Sequence, residues 1–381
     1  MNYIKAKSVI LDDHEVSNAF LEINADGTFG EIVQSVPTDA NVIDYSEYII
    51  APGLVDTHIH GYHGFDVMDL SAEGIHTISE GLLECGVTSW LPTTLTDTHE
   101  NINIACQIVA ENATSVQGAK IQGIFLEGPF FTEKYKGAQN PKYMGDPSIE
   151  VLKQWQESAQ GLIKKIAIAP ERQHVASFIP AAKELGVYVS LAHSDATFEE
   201  AKKAVDAGAN IFVHTYNGMS GLHHRQPGMV GAALSLDNVF AEVISDGHHV
   251  HPAAIKIIIK CRKDETILVT DCMRAGGIEE GYSKLGEFDV IVENGTARLA
   301  GSGNLAGSIL ELIQGVHNLV EWKLTSLSDA IRMASLNAAK SIGIDDLCGR
   351  IAPGYAADFI VIDEHANLKA TYLDGQLKYS K

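Results

Sequence analysis

The sequence predicts an α/β protein: a (β/α)8 TIM barrel that carries a small β-sandwich domain built from both chain termini. Three observations lead there. Eight short apolar runs recur across the middle of the chain, helical spacing separates most of them, and both ends are strand-rich with turn signals. A doubly wound sheet is the alternative. At 381 residues the chain has room for two or three domains, or for one large barrel with an accessory piece.

Residues 1–50 read as short strands, Ala6–Ile10, Phe20–Asn24 and Glu31–Gln34, with Ala25-Asp26-Gly27 as turn chemistry. The apolar runs follow near Gly53–Thr57, Thr88–Leu91, Ile121–Leu126, Lys165–Ala169, Val187–Ala192, Asn210–Val213, Val239–Ile244 and Thr266–Thr270. Helical periodicity fills Ala72–Glu84, Ile102–Glu111, Glu150–Gln160, Val175–Leu185, Phe198–Ala207 and Pro252–Cys261. After the eighth run comes a hairpin, Phe288–Glu293 and Thr296–Ala300 around Asn294-Gly295, then a helix from about Leu305 to Val320. Asp358–Asp363 is a strand, and Asp374-Gly375 turns Lys369–Leu373 into Gln376–Tyr379. The expected division is 1–50 with 350–381 for the small domain and 51–349 for the barrel.

Composition narrows the function. Twenty-eight basic against 49 acidic residues give −21, which argues against nucleic acid or an anionic membrane as partner, though not against a small anion in a locally basic pocket. No window approaches 18 consecutive apolar residues, and no signal-peptide pattern opens the chain. Five dispersed cysteines without a CxxC pair fit a reducing, cytoplasmic setting.

Active sites of such barrels form at the C-terminal strand ends. There the runs deliver His58-Ile59-His60, Glu127, His193, His214, His248-His249 and Asp271, so six of the eight strands bring a His, Glu or Asp to one end. Alternate residues of a strand share a face, so both imidazoles of the first pair can point to one spot. Ten of the sixteen histidines lie at or just beyond a strand end, a concentration that separate structural roles explain poorly. Mixed imidazole and carboxylate donors suit Zn²⁺ or Fe²⁺, whereas Ca²⁺ and Mg²⁺ prefer oxygen alone. Such an ion lowers the pKa of its bound water to about 7, and a neighbouring carboxylate, best placed in Asp271, can take that proton and deliver it to a leaving group. Glu171, after the fourth run, competes as a ligand. Gly301–Gly307 lacks GxGxxG spacing but precedes the expected helix, whose N-terminus would offer amides to an anion. Cys272 reads as packed, and no GxSxG elbow occurs.

The segments LEGPF (126–130), LAHSDA (191–196), VHTYNGM (213–219), HHRQPG (223–228), SDGHHVHP (245–252) and VTDCM (269–273) resemble those of the N-acetylglucosamine-6-phosphate deacetylases. These enzymes form one branch of the metal-dependent amidohydrolase superfamily. PGLVDTHIHG at the barrel entry and GRIAPGYAADFIVID at the return mark the superfamily alone. The resemblance implies hydrolysis of a phosphorylated N-acetyl amino sugar, in amino-sugar catabolism and cell-wall sugar recycling, by a homodimer. Glu127, His193 and His214 would hold the shared metal. His58, His60 and Asp271 would hold a second, giving one or two ions per subunit, Zn²⁺ or Fe²⁺ before Mn²⁺ or Co²⁺. Asp271 would be base and then acid, and His249 would polarise the acetyl carbonyl. Arg225, from its own or the partner subunit, would bind phosphate. Ala138, Gln139, Asn217, Gly218, Leu305, Ala306 and Gly307 would touch substrate, with Gln139 standing where some members carry histidine. A cyclic amidohydrolase or nucleobase deaminase on the same scaffold, or a non-catalytic scaffold protein, are the competing readings.

Overall fold

The computed structural model describes residues 2–381. All eight apolar runs are strands of one parallel sheet: Leu54–Ile59, Val87–Thr94, Ile124–Phe130, Ile163–Ile168, Tyr188–Leu191, Ile211–Phe212, Phe240–Ile244 and Thr266–Val269, hydrogen-bonded in that order. The sheet curls until its first and last strands meet. There the Asp271 amide donates to His58 O (2.9 Å) and the His60 amide to Cys272 O (2.9 Å), so the barrel is nearly closed. Strand side chains divide by parity. Ile124 and Leu126 pack outward with the helices, while Phe125 belongs to the inner cluster with Val55, Leu91, Ala167, Val213 and Ile244.

The helices fall where helical spacing places them. Phe198–Ala207 and Pro252–Cys261 match their expected limits, and the former is fixed by a reciprocal capping box between Thr197 and Glu200. Gly228–Ser235 follows the sixth strand, and Leu327–Met333 and Leu336–Ser341 complete the ring.

After the eighth strand the expected hairpin is present, Phe288–Glu293 pairing with Thr296–Leu299 around Asn294-Gly295, and Gly281–Leu285 adds a third antiparallel strand. The helix expected from about Leu305 needs correction. The helix spans Leu312–Glu321, so Gly301–Gly307 does not open it and supplies no helix N-terminus. Residues 305–311 instead run extended over the barrel mouth: Leu305 bridges Arg298, Ser308 bridges Cys272, and the Ser308 amide donates to Asp271 O at 2.7 Å. Gly307 is needed there, with φ +60° and room for a Cβ only 3.0 Å from Asp271 O. Buried Ala306 and Leu310 imitate helical spacing because each faces a core from an extended backbone.

Both termini build one seven-stranded mixed sheet. Its order is Gln376–Ser380, Leu368–Leu373, Phe359–Ile362, Asn41–Pro52, Asn2–Ile10, Glu15–Ile23 and Phe29–Val33. Only the Asn2–Ile10 and Asn41–Pro52 pair is parallel. The sheet bends around its own core, bringing Phe29 at one edge to Phe359 four strands away (6.2 Å between ring centroids). Lys120 ties it to the barrel, reaching Asp358 at 2.9 Å and Asp374 at 2.6 Å. No helix among the described residues is long and apolar enough to cross a membrane. All five cysteines are free thiols.

Candidate metal centre and active site

Five strands deliver the ligand candidates to one point. His58 and His60 flank Ile59, which packs outward, so both rings face the barrel axis. Glu127 lies two residues beyond Phe125 on the same inner face. His193, His214 and Asp271 each follow the end of a strand with left-handed backbone, φ 44°, 30° and 50°. Such conformations cost on the order of 1 kcal/mol or more apiece for a side-chain-bearing residue. Neighbouring backbone bonds hold them, among them Thr132 N to His193 O (3.0 Å) and Asp271 N to His58 O.

The six side chains are buried and form two triads, His58 with His60 and Asp271, and Glu127 with His193 and His214. Glu127 joins them. Its Oε1 lies 3.3 Å from His193 Nε2, 3.2 Å from His214 Nε2 and 3.5 Å from His58 Nε2, while Oε2 lies 3.2 Å from His60 Nε2. Asp271 Oδ1 is 3.4 Å from His58 Nε2 and 3.2 Å from His60 Nε2.

The outer ring nitrogens show what this cluster can hold. His193 Nδ1 faces Tyr135 O (2.8 Å), His60 Nδ1 faces Thr93 O (3.2 Å) and His58 Nδ1 faces Glu242 Oε2 (3.2 Å). Carbonyl and carboxylate oxygens only accept, so each Nδ1 carries the proton and each Nε2 turns a lone pair inward. His58 Nε2 is buried without a hydrogen-bond partner. With the rings neutral, the inward lone pairs and two acceptor carboxylates lack a positive partner, and a divalent cation fits that set.

Electrostatics agree. Burial would raise the Glu127 carboxyl, but His58, His193, His214 and His60 outweigh it and hold it well below the usual range. Burial likewise opposes ionisation of Asp271, and His58 and His60 prevail. Burial would lower His60 and His214, yet the carboxylates raise both, Asp271 and Glu127 for the former and chiefly Glu127 for the latter. Protons and metal thus compete for one set of atoms.

A cavity of about 140 Å³ opens over the cluster. Ala138, Gln139, Asn217, Gly218, His249, Leu305 and Gly307 line it. His249 is oriented by Asp246, whose Oδ2 accepts from Nδ1 at 2.6 Å while its Oδ1 receives the His248 and His249 amides at 2.8 Å. Gly218 is needed, since a Cβ there would sit 2.8 Å from His193 Nδ1. Ala306 is packed in the core beneath the loop.

Gln139 turns its amide to the ligand cluster, Nε2 donating to Glu127 Oε2 (2.6 Å) and Oε1 accepting from the Thr96 amide (2.9 Å). Other placements differ. Arg225 is exposed beside His224 (2.8 Å) and lines a separate cavity with Ser220 and Phe198. Glu171 is not a ligand; it accepts from the Ser194 hydroxyl and the Asp195 amide, both at 2.7 Å. Cys272 is fully buried and its thiol is pushed up by that burial. His251 caps the helix Pro252–Cys261, and His63 stacks on Tyr62. Sequence reasoning missed Leu95 and Leu285, which also line the cavity. Leu95 follows the second strand directly and was open to detection. Leu285 arrives on the inserted sheet, whose first strand has no strong apolar pattern.

Comparison with known proteins fits this geometry. A model described as the amidohydrolase family matches residues 49–378. The chain is 37% identical to the N-acetylglucosamine-6-phosphate deacetylase of Vibrio furnissii, over 98% of this chain and 94% of that protein. It is 38% identical to the N-acetylgalactosamine-6-phosphate deacetylase of Escherichia coli O157:H7, over 96% and 95%. Among solved structures, a mutant of the Mycobacterium smegmatis N-acetyl-D-glucosamine-6-phosphate deacetylase, in complex with N-acetyl-D-glucosamine 6-phosphate, superposes with a TM-score of 0.94 at 27% identity, covering 99% of each chain. On the family match and on relatives above 30% identity across nearly its whole length, the chain belongs to the amidohydrolase family.

Proposed function

We propose that this protein hydrolyses the acetamide of N-acetyl-D-glucosamine 6-phosphate, giving acetate and D-glucosamine 6-phosphate. The observation that carries the reading is the pair of buried triads joined by Glu127 at the floor of a cavity walled by Asp271 and His249. The relatives named above act on this class of substrate.

Glu127, His193 and His214 would hold one divalent ion and His58, His60 and Asp271 a second, with Zn²⁺ or Fe²⁺ favoured by the donor types. When bound, such an ion supplies Lewis acidity and an activated water. Asp271 accepts the proton of the attacking water and returns it to the amine nitrogen as the C–N bond breaks. As the imidazolium, His249 donates Nδ1–H to Asp246 and turns Nε2–H to the acetyl oxygen as it gains charge. Asn217 and the backbone at Ala138 and Leu305–Gly307 seat the sugar. Arg225 lies off the cavity of its own chain, which favours a homodimer whose partner supplies that guanidinium to the phosphate.

The test is acetate release after reconstitution with zinc, iron, manganese or cobalt, from the phosphorylated sugar, its unphosphorylated counterpart and the galactosamine epimer. Turnover should require metal and fall sharply without phosphate. The galactosamine relative makes the epimer a second substrate to compare. No acetate from any phosphorylated amino sugar with any metal refutes the reading.

A further inference from the structure

Beneath the ligand cluster lies a charged pair that the proposed chemistry does not use. Lys165, on the fourth barrel strand, and Glu242, on the seventh, are fully buried and project inward, with the ammonium in direct contact with the carboxylate. A buried ion pair is commonly no more stabilising than apolar residues of the same size, so stability alone does not account for one in a barrel core. Its second oxygen suggests the reason. Glu242 Oε2 lies 3.2 Å from His58 Nδ1 and 3.4 Å from the His214 amide.

An ionised carboxylate only accepts, so the His58 proton is confined to Nδ1 and the Nε2 lone pair faces Glu127 and Asp271. The ring is held from a second side as well. Phe125 meets it edge-on at 4.9 Å, and the Lys165 ammonium sits 3.7 Å from the centroid of that phenyl ring. His60 and His193 lean on backbone carbonyls instead, so among the histidines with a bonded Nδ1 in the cluster only His58 has a carboxylate behind it.

We propose that Glu242, neutralised by Lys165, is a positioning residue that fixes the tautomer and orientation of His58 and thereby gives the His58–His60–Asp271 triad its affinity for a metal ion. This rests on the reading of that triad as a second metal site.

The experiment uses the full chain with cobalt or zinc: metal content by mass spectrometry, and chelator competition to resolve two dissociation constants. Lys165→Met/Glu242→Leu removes both charges and leaves neither group unpaired. It should fold with a melting temperature within a few degrees of wild type, bind at Glu127, His193 and His214 within about threefold, and bind the second ion about 10- to 100-fold more weakly. Lys165→Met/Glu242→Gln keeps an acceptor for Nδ1 and should recover most of that loss. Equal weakening of both sites would mark general damage and overturn the proposal. Unchanged second-site affinity would remove the role of Glu242 while leaving the site intact. A wild-type protein that takes up a single ion would overturn the second site and this inference together, and acetate release, measured separately, reports on the activity.

Discussion

Asp271 shows how much one side chain is asked to do. It follows the eighth strand in left-handed backbone, bridges toward His58 and His60, and lines the cavity. Replacing it with Asn keeps shape and a donor oxygen but removes the proton acceptor. General acid–base help is worth about 10² to 10⁴ in rate, so Asp271→Asn should cut kcat about a thousandfold. The ion at Glu127, His193 and His214 should remain, and metal analysis with steady-state kinetics checks both halves; near-normal turnover would falsify the proton-transfer role. At this scale the six ligand candidates were legible because each is a polar residue closing an apolar run. Glu242 was not singled out, although it interrupts Val239–Ile244, because a charge inside a buried strand also suits an outward solvated position. Gln139 was legible as a site residue, but its bonds to Glu127 and Thr96 depend on a loop path that spacing does not reveal.

Among elements, the barrel strands were readable because both faces are buried and the runs are mostly apolar. Residues 305–311 were not, since an extended segment with alternating burial can share its pattern with a helix start. The contact between barrel and terminal sheet was also hidden, for its partners lie more than 230 positions apart. There Lys120 meets Asp358, which is nearly buried. Burial pulls the Lys120 ammonium down, but Asp358 and Asp374 outweigh it and raise it. Asp358 is itself raised, because burial exceeds the help from Lys120. An acid raised in the folded state holds its proton more tightly there than when unfolded, so its ionisation costs stability as pH rises, and Lys120 limits that cost. Lys120→Met should therefore cost less near pH 4, where the raised Asp358 carboxyl takes up a proton more readily, than at neutral pH. Around pH 7.5 it should destabilise by about 2 kcal/mol, less than for a fully buried pair because Lys120 is partly solvated. Urea midpoints at the two pH values test this, and an equal loss at both would contradict it.

Across the whole molecule, the ligand candidates come from the first, third, fifth, sixth and eighth strands, so ions in both triads would together link five of eight staves, the one at His58, His60 and Asp271 spanning the seam where the barrel closes. Binding to the folded state alone adds about 4 kcal/mol when free metal is a thousand times the dissociation constant. The pH dependence of that increment has a definite sign. In the metal-free protein the carboxylates raise His60 and His214, so both hold protons to higher pH than an ordinary imidazole and their stabilising pairing with Glu127 and Asp271 fades as pH rises through those raised values. Metal must displace the same protons, so its stabilisation grows over that interval. The melting-temperature gap between metal-loaded and chelator-treated protein should widen by several degrees from pH 5.5 to 8, and hydrogen exchange on removing metal should rise first in Leu54–Ile59 and Thr266–Val269. A gap that stays constant or narrows with pH would mean that the stabilising ion binds away from these imidazoles.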